Sequence, residues 1–117
     1  MKLYEAIENA NIIRPNSIDD NRKAAWIFEL ECDFAEMMEV DTPENSYDLE
    51  HPDIELLMPE PKARCYELYL AAMIDHENQD MDMYNADLTL ANAAIDDARA
   101  WWRRNHRVQD RRNWRVM

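Results

Sequence analysis

Glycine is absent from all 117 residues of this chain, and that one fact removes more folds than any other feature of the sequence. Tight β-hairpins, Rossmann turns and phosphate-cradling loops depend on residues that accept positive φ or a close backbone approach, and glycine ordinarily supplies them. The chain is rich instead in Ala, Leu, Met, Glu and Arg, which favour helices. Hydrophobic residues make up 47%, enough to bury a core despite the high charge content. A chain this long builds one domain. The expectation is an all-α, compact bundle of about four helices in a soluble protein.

Periodicity places the helices. Leu3, Ile7 and Ala10 share one face of a short first helix that stops before Pro15. Ser17 is the expected N-cap of the second helix, with Asp19 and Asp20 in its first turn. Ile27, Leu30, Phe34 and Met37 then recur at spacings of 3, 4 and 3, widened by Trp26 and Met38, and the helix should end near Val40. Residues 41–60 carry Pro43, Pro52 and Pro59 with an acidic bias, which predicts a long acidic, Pro-containing loop between helices 2 and 3. Within it Ile54, Leu56, Leu57 and Met58 either pin the loop to the core or meet a partner.

Pro61 suits the first turn of the third helix. Tyr66, Tyr69 and Met73 read as its inner face, flanked by Leu70 and Ile74. The polar break from His76 to Asp80 predicts an antiparallel helical hairpin. Met81, Tyr84, Leu88, Ala91, Ile95, Ala98 and Trp102 follow at alternating spacings of 3 and 4, a helix-packing seam. Trp26, Leu30, Phe34, Tyr69, Met73, Leu88 and Ile95 are the expected core. The organisation is a helical domain over 1–105 and a basic C-terminal tail over 106–117.

Charge is polarised along the chain. Residues 1–98 hold 6 basic and 24 acidic residues, a net of −18; residues 99–117 hold seven arginines against Asp110, a net of +6. An acidic body repels nucleic acid, and a basic end seeks an anion. Trp101, Arg103, Arg104, Arg107, Arg111, Arg112, Trp114 and Arg115 mix the residue types enriched at protein hot spots. The same mixture can stack bases and bind phosphates, or simply form a frayed basic tail. Protein contact is preferred, because the acidic body opposes a polyanion. Ile54, Leu56 and Leu57 are the second candidate contact.

Chemistry finds little footing. His51, His76 and His106 form no pair at metal-ligand spacing, and Cys32 and Cys65 share no short motif. The thiols are expected to be free and reduced. Asp48, Glu50, Asp53 and Glu55 alternate as in a calcium loop but lack its turn glycine and closing glutamate. Other carboxylate pairs, such as Asp75 with Glu77, are expected on solvated helix faces. No catalytic residue, metal or cofactor is expected, so the chain reads as an assembly part rather than an enzyme. No stretch approaches the roughly 18–20 apolar residues of a membrane span, and no signal peptide is expected at an N-terminus bearing Lys2, Glu5 and Glu8.

Several segments together resemble a known group. These are Arg14-Pro15-Asn16, the run Leu56-Leu57-Met58-Pro59-Glu60-Pro61, Tyr69 to Asp75 with Asn78, Tyr84-Asn85, and Trp102-Arg103-Arg104-Asn105-His106. They resemble small proteins encoded in the structural modules of phages and prophages of Gram-positive bacteria. That group is similar to the helical head–tail connector (head-completion, adaptor) proteins of long-tailed phages. The resemblance spans roughly residues 1–107, with two departures: glycine often stands where this chain has Gln79, and a basic residue where it has Met83. It implies a helical virion subunit, assembled in the bacterial cytoplasm, that forms an oligomeric ring joining the portal protein to tail or stopper proteins. The isolated subunit would be monomeric until its partner is present. DNA would pass through the ring unread, and no membrane would be involved. The alternative, from another class, is a small regulatory or nucleic-acid-binding module using the arginine-rich end.

Overall fold

The structure, a computed structural model, describes residues 1–43 and 46–116, and beyond His106 the backbone alone. It is all-helical, with α1 Leu3–Ile13, α2 Asp20–Met38, α3 Arg64–Glu77 and α4 Met81–Val116. Among the described residues there is no strand, only one isolated antiparallel bridge between Lys2 and Glu55.

The first helix forms as its spacing predicts, with Leu3, Ala6, Ile7 and Ala10 buried along one face. The start of α2 differs from expectation. Asp19, not Ser17, is the cap, and its carboxylate accepts from Asn21 N at 3.0 Å. Asn16 explains the two-residue delay. Its carboxamide accepts from Ile18 N at 3.0 Å and donates to Arg14 O at 2.8 Å, holding 16–18 in a side-chain-closed turn outside the helix.

The other end of α2 comes early, at Met38. Glu39 takes a left-handed conformation (φ 58°) and Val40 N reaches back to Ala35 O at 3.1 Å. That is a Schellman-type stop made without the usual glycine, and it leaves Val40 exposed. A second left-handed residue, Gln79 (φ 59°), turns the chain between α3 and α4. Pro61 does not open α3; it sits in a turn after a cis Glu60–Pro61 bond, and the helix starts at Arg64.

α3 and α4 form an antiparallel hairpin, since Lys62 ahead of α3 meets Asp97 at 2.7 Å while His76 near its end packs edge-on against Tyr84. α3 also packs on α1 and α2, so it lies at the centre. Ile27, Phe34, Tyr66, Leu70 and Ile74 are fully buried there, with the Phe34 and Tyr66 rings edge-to-face at 5.7 Å. Tyr69 and Met73 lie half-buried at the core's rim, a correction to the expected inner face of α3.

The α4 seam also needs correction. Ala91, Ile95 and Ala98 are buried as expected, but Met81 is exposed and Tyr84 and Leu88 are only half-buried. Asp87 takes the inward place, because Arg14 at the end of α1 supplies a charged partner there. The apolar seam therefore closes only from Ala91 onward.

The segment between α2 and α3 lies against the body rather than away from it. Leu3 N donates to Ile54 O at 2.9 Å, Tyr4 N to Pro52 O at 3.1 Å and Leu56 N to Met1 O at 3.0 Å, so 52–56 runs antiparallel to the N-terminus. Leu56 and Met58 are core residues, with Ile54 and Leu57 packed against them.

Candidate functional site

Three arrangements stand out, and all rest on charged residues. The first is inside. Glu31 falls between Ile27 and Phe34 on the α2 stripe and is fully buried. Its carboxylate accepts from the hydroxyl of Tyr66, from Leu57 N at 3.0 Å and from the Tyr47 hydroxyl at 3.3 Å. The Tyr66 oxygen in turn accepts from Met58 N at 2.9 Å. Burial raises the Glu31 pKa despite these donors, and both tyrosines are raised by burial and by the Glu31 charge. The network nails the 47–58 segment to α2 and α3. Sequence reasoning missed it, although a signal was present: Ile27, Glu31, Phe34 and Met38 fall at spacings of 4, 3 and 4, placing a charge at an inward position. Lys23 is likewise buried, satisfied by Asn11 Oδ1 at 2.7 Å, Asp20 Oδ1 at 2.8 Å and Ile18 O at 3.0 Å.

The second arrangement joins three helices at one end of the bundle. Arg14 grips Asp87 with two hydrogen bonds, Nε to Oδ2 at 2.9 Å and Nη2 to Oδ1 at 3.0 Å. Its Nε also lies 3.4 Å from Oδ1 of Asp75, whose other oxygen is buried without a hydrogen-bond donor among the described residues. Asp75 was expected on a solvated face, and the structure corrects this: it is 4% exposed. One guanidinium thus serves two buried carboxylates. Burial, then the neighbouring Asp87, push Asp75 up to about 7 against the opposing pull of Arg14.

The third is the basic end of α4. The helix has 36 residues, about 54 Å at 1.5 Å per residue, and the molecule's longest dimension is 56 Å. So α4 spans the whole long axis. Arg103 and Arg104 are exposed on it, Trp101 and Trp102 pack half-buried against the core, and His106 stacks on Trp102 at 3.8 Å. Arg99 turns back, its guanidinium 5.8 Å from the Phe34 ring. The backbone of 106–116 continues the same helix. The side chains of Arg107, Arg111, Arg112, Trp114 and Arg115 lie outside the described residues. Of the apolar loop candidates, Leu56 is buried and Ile54 and Leu57 pack on the core, so the chain itself occupies them.

Among the described residues, Asp48, Glu50 and His51 come closest to a metal geometry, with one ligand atom each within 4.8 Å of the others. They lie on the solvent side of the loop, and Asp48 Oδ1 already accepts from Glu50 N at 2.9 Å. Cys32 and Cys65 are free thiols, and burial pushes Cys65 up to about 12, far from a reactive thiolate. No helix among the described residues is long and apolar enough to cross a membrane. Comparison with protein-family models, curated proteins and solved structures returned no match for the chain.

Proposed function

We propose that this chain is a structural subunit of a phage head–tail junction, joining the capsid portal to the tail as one member of an oligomeric ring. The observation that carries the reading is the division of α4: its first half is packed into an acidic body, and past Trp102 the helix carries the arginine-rich end of the sequence. Arg103 and Arg104 are exposed on a rigid helix, which can present them to an acidic surface of a neighbouring subunit or of the portal. The resemblance supports the same reading, and Gln79 adds to it. The related chains often place glycine there, and this chain holds Gln79 at φ 59°, a conformation glycine takes most easily. In this reading the role is mechanical, with no catalysis, cofactor or membrane. Portal and tail or stopper proteins are the partners, the virion is the location, and DNA passes without being read.

Deleting residues 108–117 tests the proposal. Ring assembly on purified portal should weaken while the far-ultraviolet circular dichroism of the body persists. Unchanged assembly would remove the role given to the basic end. A second reading has one observation of its own: Trp102 stacked on His106 beside the exposed Arg103 and Arg104 is a surface that could stack a base. Retention on single-stranded DNA that falls steeply with salt would favour that module.

A further inference from the structure

α4 carries two apolar stripes, and only one is covered. Asp87, Ala91, Ile95 and Ala98 face inward. On the outer flank Met83, Ala86, Leu90 and Ala93 recur at spacings of 3, 4 and 3, all exposed, with Leu90 at 57%. The two alanines leave room for a second helix at the short end of the usual 8–10 Å packing range. The stripe continues along the helix through Asp97 to Arg104.

Charge identifies the occupant. From Met81 to Ala98 the helix has four aspartates and no lysine or arginine; from Arg99 onward it has seven arginines and one aspartate. A surface of this kind complements itself in one orientation only. A parallel copy would place acid on acid and arginine on arginine, whereas an antiparallel copy sets the exposed Asp82 of each chain beside Arg104 of the other and also opposes the helix dipoles. A nucleic acid fits poorly, because the acidic half would repel it.

We infer that the outer face of α4 is an interface between two copies of this chain, packed antiparallel about a two-fold axis near Ala93. In that register Asp82 and Met83 face the second copy's Arg104 and Asn105, and the two Leu90 side chains flank the axis. The contact is isologous, so the same patch serves both copies. It stands apart from the connector reading, since the pair needs no portal.

The test is made on the full-length chain. Light scattering behind a sizing column should give twice the 14.0 kDa chain mass at low ionic strength, with dissociation promoted by salt. Leu90→Lys should weaken the pair by about tenfold or more by placing an ammonium in the apolar contact, with the helical circular dichroism unchanged because Leu90 is exposed in the single chain. Orientation is read by crosslinking in a Cys32→Ser background. Ala93→Cys should oxidise to a self-disulfide, and Ala86→Cys should not, because antiparallel packing separates the two copies of residue 86 by about 20 Å along the axis. A chain that stays monomeric at low salt overturns the inference. So does a dimer indifferent to Leu90→Lys, or equal crosslinking at 86 and 93, which would mean parallel packing.

Discussion

Replacing Asp75 with asparagine should stabilise this protein in neutral and alkaline solution and leave it almost unchanged in acid. Asp75 and Asp87 share one guanidinium, and Asp87 takes its two-pronged face. Asp75 retains a 3.4 Å contact to Arg14 and an oxygen with no donor. The charged groups acting on it are Arg14 from α1, Asp87 from α4 and Asp80 from the turn between α3 and α4. A proton on Asp75 lets it donate to Asp87 and removes one of two crowded charges, so the folded state holds that proton up to about 7 against 3.8 for the free group. The sign follows from linkage. A group whose folded pKa is raised contributes stability that is complete below pH 3.8 and is lost as pH climbs to about 7. At about 1.4 kcal/mol per unit the loss is at most roughly 4 kcal/mol, and water at the rim of the cluster and added salt bring it to about 2–4 kcal/mol. Asparagine donates permanently and never ionises. Urea unfolding from pH 4 to pH 8.5 should show wild type losing stability to Asp75→Asn by that amount as pH rises. The acidic body's general self-repulsion affects both proteins alike, so the difference isolates the pair. Parallel pH profiles for the two proteins would refute the shared-proton argument.

Three other outcomes follow from the packing. Glu31→Ala should cost about 2–4 kcal/mol by orphaning two hydroxyls and an amide, and amide exchange at Leu57 and Met58 should quicken ahead of that in α3. Gln79→Gly should raise thermal stability by up to about 1 kcal/mol by relieving a left-handed residue; the same change at exposed, regular positions of α4 should lower it by a similar amount. Phe34→Ala should cost about 3–5 kcal/mol, clearly more than Leu88→Ala in the same chemical melt, because Leu88 is only half-buried.

Repeating patterns were the legible part of this fold. The Ile27–Phe34 stripe of α2, the hairpin break after His76 and the inward Ala91–Ile95–Ala98 row all depend on neighbours three or four residues away, which a sequence displays directly. What escaped depends on partners distant in the chain. Asp87 reads as a solvated aspartate until Arg14, 73 residues earlier, is seen to hold it. Glu31 reads as a helix-surface glutamate until Tyr47, Leu57 and Tyr66 converge on it. The shift of the α2 cap from Ser17 to Asp19 was local, but it was decided by Asn16 competing for Ile18 N, a contest that cap preference alone does not resolve. Of the candidate contacts, Arg103 and Arg104 could be read as exposed, whereas Leu56 could not be divided between core and partner without the N-terminal backbone that pairs with it.

The length of α4 makes it a lever. Its first part is clamped between α3 and the Arg14 grip and held on the core as far as Trp102, and beyond that the same hydrogen-bonded rod continues for about 21 Å. A helix bends gently and hardly stretches, so a tilt of about 10° where it leaves the body carries the tip by about 4 Å. Motion in the other direction obeys the same geometry. A partner that seizes the arginines applies torque at the Asp87 end, where three helices meet around a single guanidinium.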